Sequence, residues 1–178
     1  MGDSEAVGCA IERMLRVNTR LKVLNLSYCI LHTAVDIHIA AGLEHSSLSE
    51  LNIEGNRLIT SKGWMRIFKH LHNNLSLKKL NINDCGLGDL SSAALAEMLS
   101  CNKSLIELTI GNYGIHEAGL TELAKGLLQN TSLQTLMIDE YAYTKPPCRK
   151  TFLEAEIERL KRNGNFTSRR SVEIKEYT

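Results

Sequence analysis

The chain has 178 residues, of which 43% are hydrophobic, so it can bury a substantial core as one domain or at most two. Its 21 Lys and Arg residues nearly balance its 20 Asp and Glu residues, and the net charge of +1 disfavours a dedicated nucleic-acid-binding function. No apolar stretch reaches the about 18 residues that a membrane span needs, and the acidic N-terminus lacks the apolar core of a signal peptide.

The first predicted element is a helix over residues 4–17. Ala10, Ile11, Met14 and Leu15 recur there with the spacing of one helical face. This helix is expected either to cap the N-terminal end of the fold or to be the remnant of a further repeat. Residues 4–164 as a whole are expected to form a single domain.

Five segments then match the pattern L-x-x-L-x-L-x-x-(N/C)-x-L to differing degrees. They begin at Leu21, Leu48, Leu77, Leu105 and Leu133, so their first leucines are 27, 29, 28 and 28 residues apart. Such regular spacing is the signature of a solenoid whose repeats stack on one another. The departures from the pattern lie in the last two repeats, at Tyr113, Tyr141 and Tyr143.

The L-x-L centre of each segment predicts a short strand that points its leucines inward and its alternate residues outward. These strands are expected to stack in parallel. Asn or Cys at the ninth position can bond backbone groups that would otherwise be buried without partners. Cys29 and Cys85 are therefore interpreted as buried turn residues rather than nucleophiles.

Between the predicted strands, apolar residues recur with helical spacing. Each repeat is therefore predicted to be a strand followed by a helix. Trp64, in one such window, is expected to lie in the core. An asparagine three residues before the first leucine of a repeat is predicted to end the preceding helix in a left-handed conformation. This prediction applies to Asn18, Asn74, Asn102 and Asn130.

The last predicted helix covers about residues 147–162. Pro146 and Pro147 are expected to open it, because a missing N–H costs little in the first helical turn. Gly164 is expected to end it. Residues 165–178 are predicted to form either a tail or a short edge strand.

The repeat length of about 28 residues, with long helices, resembles the ribonuclease-inhibitor type of leucine-rich repeat (LRR), which also occurs in the C-terminal parts of NOD-like receptors. Residues 92–99 (SAALAEML), 102–105 (NKSL) and 129–133 (QNTSL) also resemble the C-terminal LRR domain of tropomodulin. The resemblance implies an α/β fold, a right-handed solenoid or horseshoe segment of about five strand–helix repeats with a parallel sheet on its concave face. The pattern G-x-x-x-x-G-K-S/T of a nucleotide-binding P-loop is absent.

The outward residues of the strands are the candidate partner-binding site, on a concave face roughly 20 Å across. The candidates are Tyr28, Glu50, Asn52, Glu54, Lys79, Asn81, Asn83, Asp84, Glu107, Thr109, Asn112, Met137, Asp139 and Glu140. Six of them are acidic and one is basic, so one hypothesis is a partner that presents Lys or Arg. The alternative is that solvated strands are simply polar.

Two further features of this face each have two interpretations. Asn25, Asn52 and Asn81 form a ladder at one repeat position, which could bind a peptide backbone or bond along itself. Tyr28 and Met137 could be binding anchors of the kind that dominate interface energies, or could cover the ends of the solenoid.

The sequence favours a non-catalytic, cytoplasmic protein-interaction module, in innate sensing or scaffolding. No cofactor, metal, nucleic acid or membrane is expected as a ligand, and the oligomeric state stays open. One alternative, implied by the tropomodulin resemblance, is binding to the pointed end of actin filaments. Another is a GTPase-activating or thiol-dependent enzyme in which Cys29 pairs with His32, against which the predicted burial of Cys29 argues.

Overall fold

A computed structural model describes residues 2–111, 114–139, 149–162 and 173–176, in which helices and strands alternate along the chain. The elements are α1 (Gly2–Val17), β1 (Val23–Asn25), α2 (Thr33–Glu44), β2 (Glu50–Asn52), α3 (Ser61–Leu71), β3 (Lys79–Asn83), α4 (Asp89–Cys101), β4 (Glu107–Gly111), α5 (Glu117–Gln129), β5 (Thr135–Asp139), α6 (Arg149–Arg162) and β6 (Glu173–Glu176). The predicted openers of the last helix, Pro146 and Pro147, lie outside the described residues, as do Tyr113, Tyr141, Tyr143 and Gly164.

The six strands form one parallel sheet in which the spatial order is the chain order. Each strand reaches the next through a helix, as parallel neighbours require a crossover connection. The register places the central leucines of the five repeats side by side, at Leu24, Leu51, Leu80, Leu108 and Leu136. The predicted α/β repeat with a parallel sheet is therefore confirmed, and β6 extends the sheet beyond β5.

The core lies between the sheet and the helices. From β2 to β5 the inward leucines and isoleucines are almost fully buried, and each such side chain contributes roughly 1.5–3 kcal/mol. Trp64 lies in this core as predicted: its ring stacks on Phe68 at 5.6 Å between centroids, and its Nε1 donates to the carbonyl oxygen of Cys85 at 3.1 Å. Its indole N–H is therefore satisfied inside the core.

Consecutive helices pack closely where glycine permits it. A Cβ atom at Gly126 of α5 would lie 2.4 Å from the carbonyl oxygen of Ala96 and 2.7 Å from its Cα. No side chain fits at that separation, so Gly126 lets α5 lie directly against the backbone of α4.

The prediction of left-handed asparagine caps is wrong. Asn102 (φ −64°, ψ 133°) and Asn130 (φ −70°, ψ 140°) are extended, and they act through their side chains. The Oδ1 of Asn102 accepts from the backbone N–H groups of Ser104 and Leu105, at 2.9 and 2.8 Å. Its Nδ2 donates to the carbonyl oxygen of Leu71, at the end of the helix one repeat earlier, at 2.7 Å.

This arrangement recurs from repeat to repeat. Asn74 and Asn130 also accept from the backbone N–H groups two and three residues onward, and each donates to a carbonyl oxygen near the end of the helix one repeat earlier. An amide carries both donors and acceptors, so one side chain can order its own turn and join it to the previous repeat. A left-handed backbone conformation at the asparagine would satisfy only carbonyl groups of its own helix, and it would make no bond to the previous repeat.

The ninth repeat position agrees with prediction in two repeats and not in the first. Asn56 donates from Nδ2 to the carbonyl oxygens of Leu26 and Ile53, and the Cys85 thiol donates to that of Ile53 at 3.2 Å. Cys29, predicted to be buried, is exposed. It belongs to β1's repeat, at one edge of the described sheet, where only one neighbouring repeat covers the turn.

Candidate interaction surface

The strand face is the set of side chains that β1–β5 point away from the helices. The strand register arranges them in two rows. The first row is Val23, Glu50, Lys79, Glu107 and Thr135; the second row is Asn25, Asn52, Asn81, Thr109 and Met137. Most of these residues line one concavity of about 340 Å³. The structure therefore brings seven of the predicted site residues together in a single depression.

The first row contains an ion pair that sequence reasoning did not weigh. Lys79 Nζ lies 3.2 Å from Glu107 Oε2, and both side chains are substantially exposed. An exposed pair of this kind contributes about 0–1 kcal/mol to stability, but it neutralises Glu107. Within the described residues Glu50 has no ion pair, so it is the uncompensated carboxylate of this row.

The asparagine ladder of the second row acts on the protein's own backbone. Asn25, Asn52 and Asn81 each accept at Oδ1 from the backbone N–H two residues onward, at 2.9, 2.9 and 3.0 Å. Each side chain thus orders the turn that leaves its strand. Of the two interpretations of the ladder, these contacts favour the structural one.

Glu54 is the centre of a hydrogen-bonded cluster where the strands end. Its Oε1 accepts from Asn83 Nδ2 at 3.1 Å and from the Tyr28 hydroxyl at 3.4 Å, and its Oε2 accepts from Asn81 Nδ2 at 3.1 Å. None of these donors carries a charge, so they fix the geometry of Glu54 without placing a cation beside it. Three of the four residues in this cluster come from neighbouring repeats.

The Tyr28 ring packs against the backbone of Gly55, beside this cluster. Gly55 has a φ of +74°, and a Cβ at this position would lie 2.3 Å from the ring of Tyr28. A residue without a side chain is therefore required beneath the ring. Tyr28 as a whole is 64% exposed, and its ring lies beside the acidic Glu54.

Arg57 is a residue that sequence reasoning missed. Its Nε and one terminal nitrogen (Nη2) contact the two carboxylate oxygens of Asp84, at 2.8 and 2.7 Å. A bidentate pair of this geometry is among the stronger charge-assisted contacts. The sequence does place this arginine directly after Asn56, one repeat before Asp84. However, Arg57 lies in a turn, outside the strand positions from which the candidate residues were chosen.

The acidic character of the strand face is thus smaller than the sequence suggested. Glu107 and Asp84 form ion pairs with cations of the same chain, while Glu50 and Glu54 form none within the described residues. Asn83, Asp84 and Thr109 are buried and offer a partner little surface. The candidates Asn112 and Glu140, and the side chain of Asp139, lie outside the described residues.

The chemistry of the thiols is that of structural residues. Burial raises the pKa of the Cys85 thiol to about 12, so it is protonated at neutral pH. Cys29 is exposed and donates to the carbonyl oxygen of Ser27, and among the described contacts none joins it to His32. In the described part of the chain, no three His, Cys, Asp or Glu residues cluster as metal ligands would.

None of the helices in the described ranges combines the length and apolar composition that a membrane crossing requires.

Parallel strands that alternate with helices over inward leucines define an LRR-like α/β fold. A solved structure with a similar fold is actin-binding site 2 of leiomodin-1, with a TM-score of 0.61 and 18% sequence identity, covering 82% of this chain and 79% of that chain. At this identity the likeness shows the fold alone. No protein-family model matches the chain, and no curated protein sequence matches it.

Proposed function

We propose that the chain is a non-catalytic module that binds a partner protein through the strand face. The observation that carries the proposal is the single concavity formed by outward side chains of five adjacent strands, with the exposed Tyr28 ring at the end of the first. Rigid strands that present polar residues around a few apolar anchors form the kind of surface that solenoids use to bind proteins.

The charges of this face indicate a basic segment in the partner. Glu50 is uncompensated within the described residues, and Glu54 is held by uncharged donors next to Tyr28. A Lys or Arg side chain that contacts Glu54 can stack its aliphatic part or its guanidinium on the Tyr28 ring. Partner recognition is therefore assigned to Glu50, Glu54 and Tyr28, rather than to all six acidic positions.

Charge reversal tests this proposal directly. The partner is captured from the source cells with the native chain, and its affinity is then measured for Glu50→Lys and for Glu54→Lys. Each change is expected to weaken binding by at least about tenfold, because like charges at an interface repel. The matched control is Glu154→Lys on the exposed side of α6, which should bind as the native chain does. Equal binding by all of these variants would refute the proposal.

Actin is a specific second candidate, because the solved structure of similar fold is an actin-binding site of leiomodin-1. Co-sedimentation with filaments tests binding, and pointed-end elongation of pyrene-labelled actin tests capping. If micromolar protein neither sediments with filaments nor slows elongation, this candidate is eliminated. If it does either, Glu50→Lys tells whether the strand face makes the contact.

We further infer that the chain is cytoplasmic and of the ribonuclease-inhibitor type, as in NOD-like receptors, with a role in innate sensing or scaffolding. Exposed free thiols at Cys9, Cys29 and Cys101 support a reducing compartment. Fractionation of cells expressing the chain tests the location. The non-enzyme assignment is tested by turnover screening with Cys29→Ala: an activity that this change abolishes without unfolding the chain would contradict it.

A further inference from the structure

A groove runs between α3 and α4 on the outer side of the helix layer, opposite the strand face. It has a volume of about 440 Å³. Phe68, Ala94 and Met98 lie at its floor, and Lys62, Met65 and Lys69 lie along the rim that α3 provides. This surface shares no residue with the strand face, so it can be tested separately.

The groove lies where α3 and α4 contact each other less extensively than either contacts its other neighbouring helix. Gly126, four residues before Asn130, lets α5 lie against the backbone of α4. In the repeat before, the residue four positions before Asn102 is Met98 instead of glycine. The Met98 side chain is buried at this junction and lines the floor of the groove.

The apolar surface of the groove is recessed and adaptable. Phe68 and Met98 are 1% and 2% exposed and close the base of the groove, whereas Met65 on the rim is 46% exposed. Methionine side chains are flexible and polarisable, and surfaces rich in them adjust to the apolar side chains of a partner. A recessed floor of this kind suits inserted side chains better than a flat membrane surface.

The charge of the groove lies on one side. Lys62, Arg66 and Lys69 are spaced four and three residues apart, so they lie along one face of α3. Arg66 contacts the buried Asp36 at 3.4 Å, and within the described residues Lys62 and Lys69 have no ion pair. The α4 side contributes one carboxylate, that of Glu97. The rim of α3 is therefore a row of cations beside an apolar floor.

We propose that this groove binds an amphipathic helix of a second protein, whose carboxylates face α3. The partner helix places apolar side chains at i, i+3 or i+4, and i+7 into the groove. Its Asp and Glu residues follow the same spacing on the flank next to Lys62 and Lys69. The 11 residues of α3 give a groove roughly 16 Å long, which matches about three turns of a partner helix.

The test is a selection followed by matched variants. A phage-displayed library of helical 16-residue peptides is selected on the full chain, and the enriched peptides are synthesised. We expect acidic amphipathic sequences whose affinity falls at least about tenfold for the double variant Lys62→Glu, Lys69→Glu and several-fold for Met65→Ala. The control, Lys78→Glu with Lys103→Glu, makes the same change in net charge outside the groove and should bind as the native chain does.

Each alternative result is informative. The proposal is overturned if no acidic amphipathic peptide is enriched, or if the enriched peptides bind the groove variant and its control equally well. Loss of binding with Glu50→Lys would instead assign these peptides to the strand face. Vesicles of phosphatidylcholine and phosphatidylserine that bind the chain, and lose binding with the groove variant while the peptides do not, would assign the groove to a membrane surface. Urea unfolding of every variant confirms that the fold is retained.

Discussion

Replacing Asn102 by alanine isolates the contribution of the asparagine that joins consecutive repeats. Its side chain is 3% exposed and bonds backbone groups in two repeats. Alanine removes all of these bonds and leaves the backbone conformation accessible, since Asn102 is extended and not left-handed. The loss of stability therefore measures the side-chain bonds rather than backbone strain.

The magnitude follows from which groups lose their last partner. Asn102 Nδ2 donates to the carbonyl oxygens of Leu71 and Asn74, and both keep another donor when it is removed. The backbone N–H of Asn74 still donates to the Leu71 oxygen, and the Ser104 hydroxyl still donates to the Asn74 oxygen. The N–H groups of Ser104 and Leu105 belong to residues that are 3% and 2% exposed, and both donate to Asn102. At about 1–3 kcal/mol for each unsatisfied buried group, the free energy of unfolding should fall by about 2–6 kcal/mol.

Asn18 provides the matched control within the same chain. It accepts from the backbone N–H groups of Arg20 and Leu21 with the same geometry, at 3.0 Å each, but it is exposed. Water can replace its side chain, so Asn18→Ala should cost less than about 1 kcal/mol. Urea unfolding followed by circular dichroism gives both values. Equal losses for the two variants would refute the reasoning that burial of the asparagine bonds holds the repeats together.

Three further predictions concern packing, pH and thiol reactivity. Gly126→Ala should destabilise the chain by about 1–3 kcal/mol in urea unfolding, because its Cβ would overlap the backbone of Ala96. Burial raises the pKa of the Asp36 carboxyl above its usual 3.8, so the native chain loses stability as the pH rises from below that value. Asp36→Asn removes this loss, and its stability relative to the native chain should increase with pH. At pH 8, iodoacetamide should modify Cys85 at least about 100-fold more slowly than Cys29, by peptide mass spectrometry.

Each of these has its own contrary result. Gly88→Ala, where a Cβ would meet nothing closer than 3.8 Å, should cost less than about 1 kcal/mol, and a similar cost for Gly126→Ala would mean that α4 and α5 separate easily. A stability difference for Asp36→Asn that stays constant from pH 4 to 8 would show that burial does not perturb the carboxyl. Comparable modification rates at Cys85 and Cys29 in the folded chain would show that the turn around Cys85 opens readily.

The architecture could be predicted because the repeat encodes it redundantly. The leucine spacing marks each strand, and the register that places Leu51 beside Leu80 follows from stacking equal repeats. The role of asparagine was predicted incorrectly, because the sequence shows where a helix ends but not whether the residue there acts through its backbone or its amide. Cys29 was placed in the interior because the pattern treats all repeats alike, whereas burial depends on having neighbours on both sides.

The candidate site was harder to predict than the fold. Residues such as Glu50 and Lys79 could be placed on the strand face from the alternation of side chains, but their charges could not be summed from the strands alone. Arg57 neutralises Asp84 from a turn, and Lys79 pairs with a particular neighbour in the next strand. The groove between α3 and α4 depends on how far two helices separate, which the sequence pattern does not specify.

The asparagine bonds all run in one direction, since Asn74, Asn102 and Asn130 each reach back to the repeat that comes before them. A chain leaving the ribosome presents its repeats in this same order. The Nδ2 group of each newly emerged asparagine therefore finds its carbonyl acceptor on a segment that has already been synthesised. These junction bonds can therefore form as soon as the asparagine emerges, whereas other buried bonds, such as that from the Trp64 indole to the Cys85 carbonyl oxygen, form only once the next repeat is present.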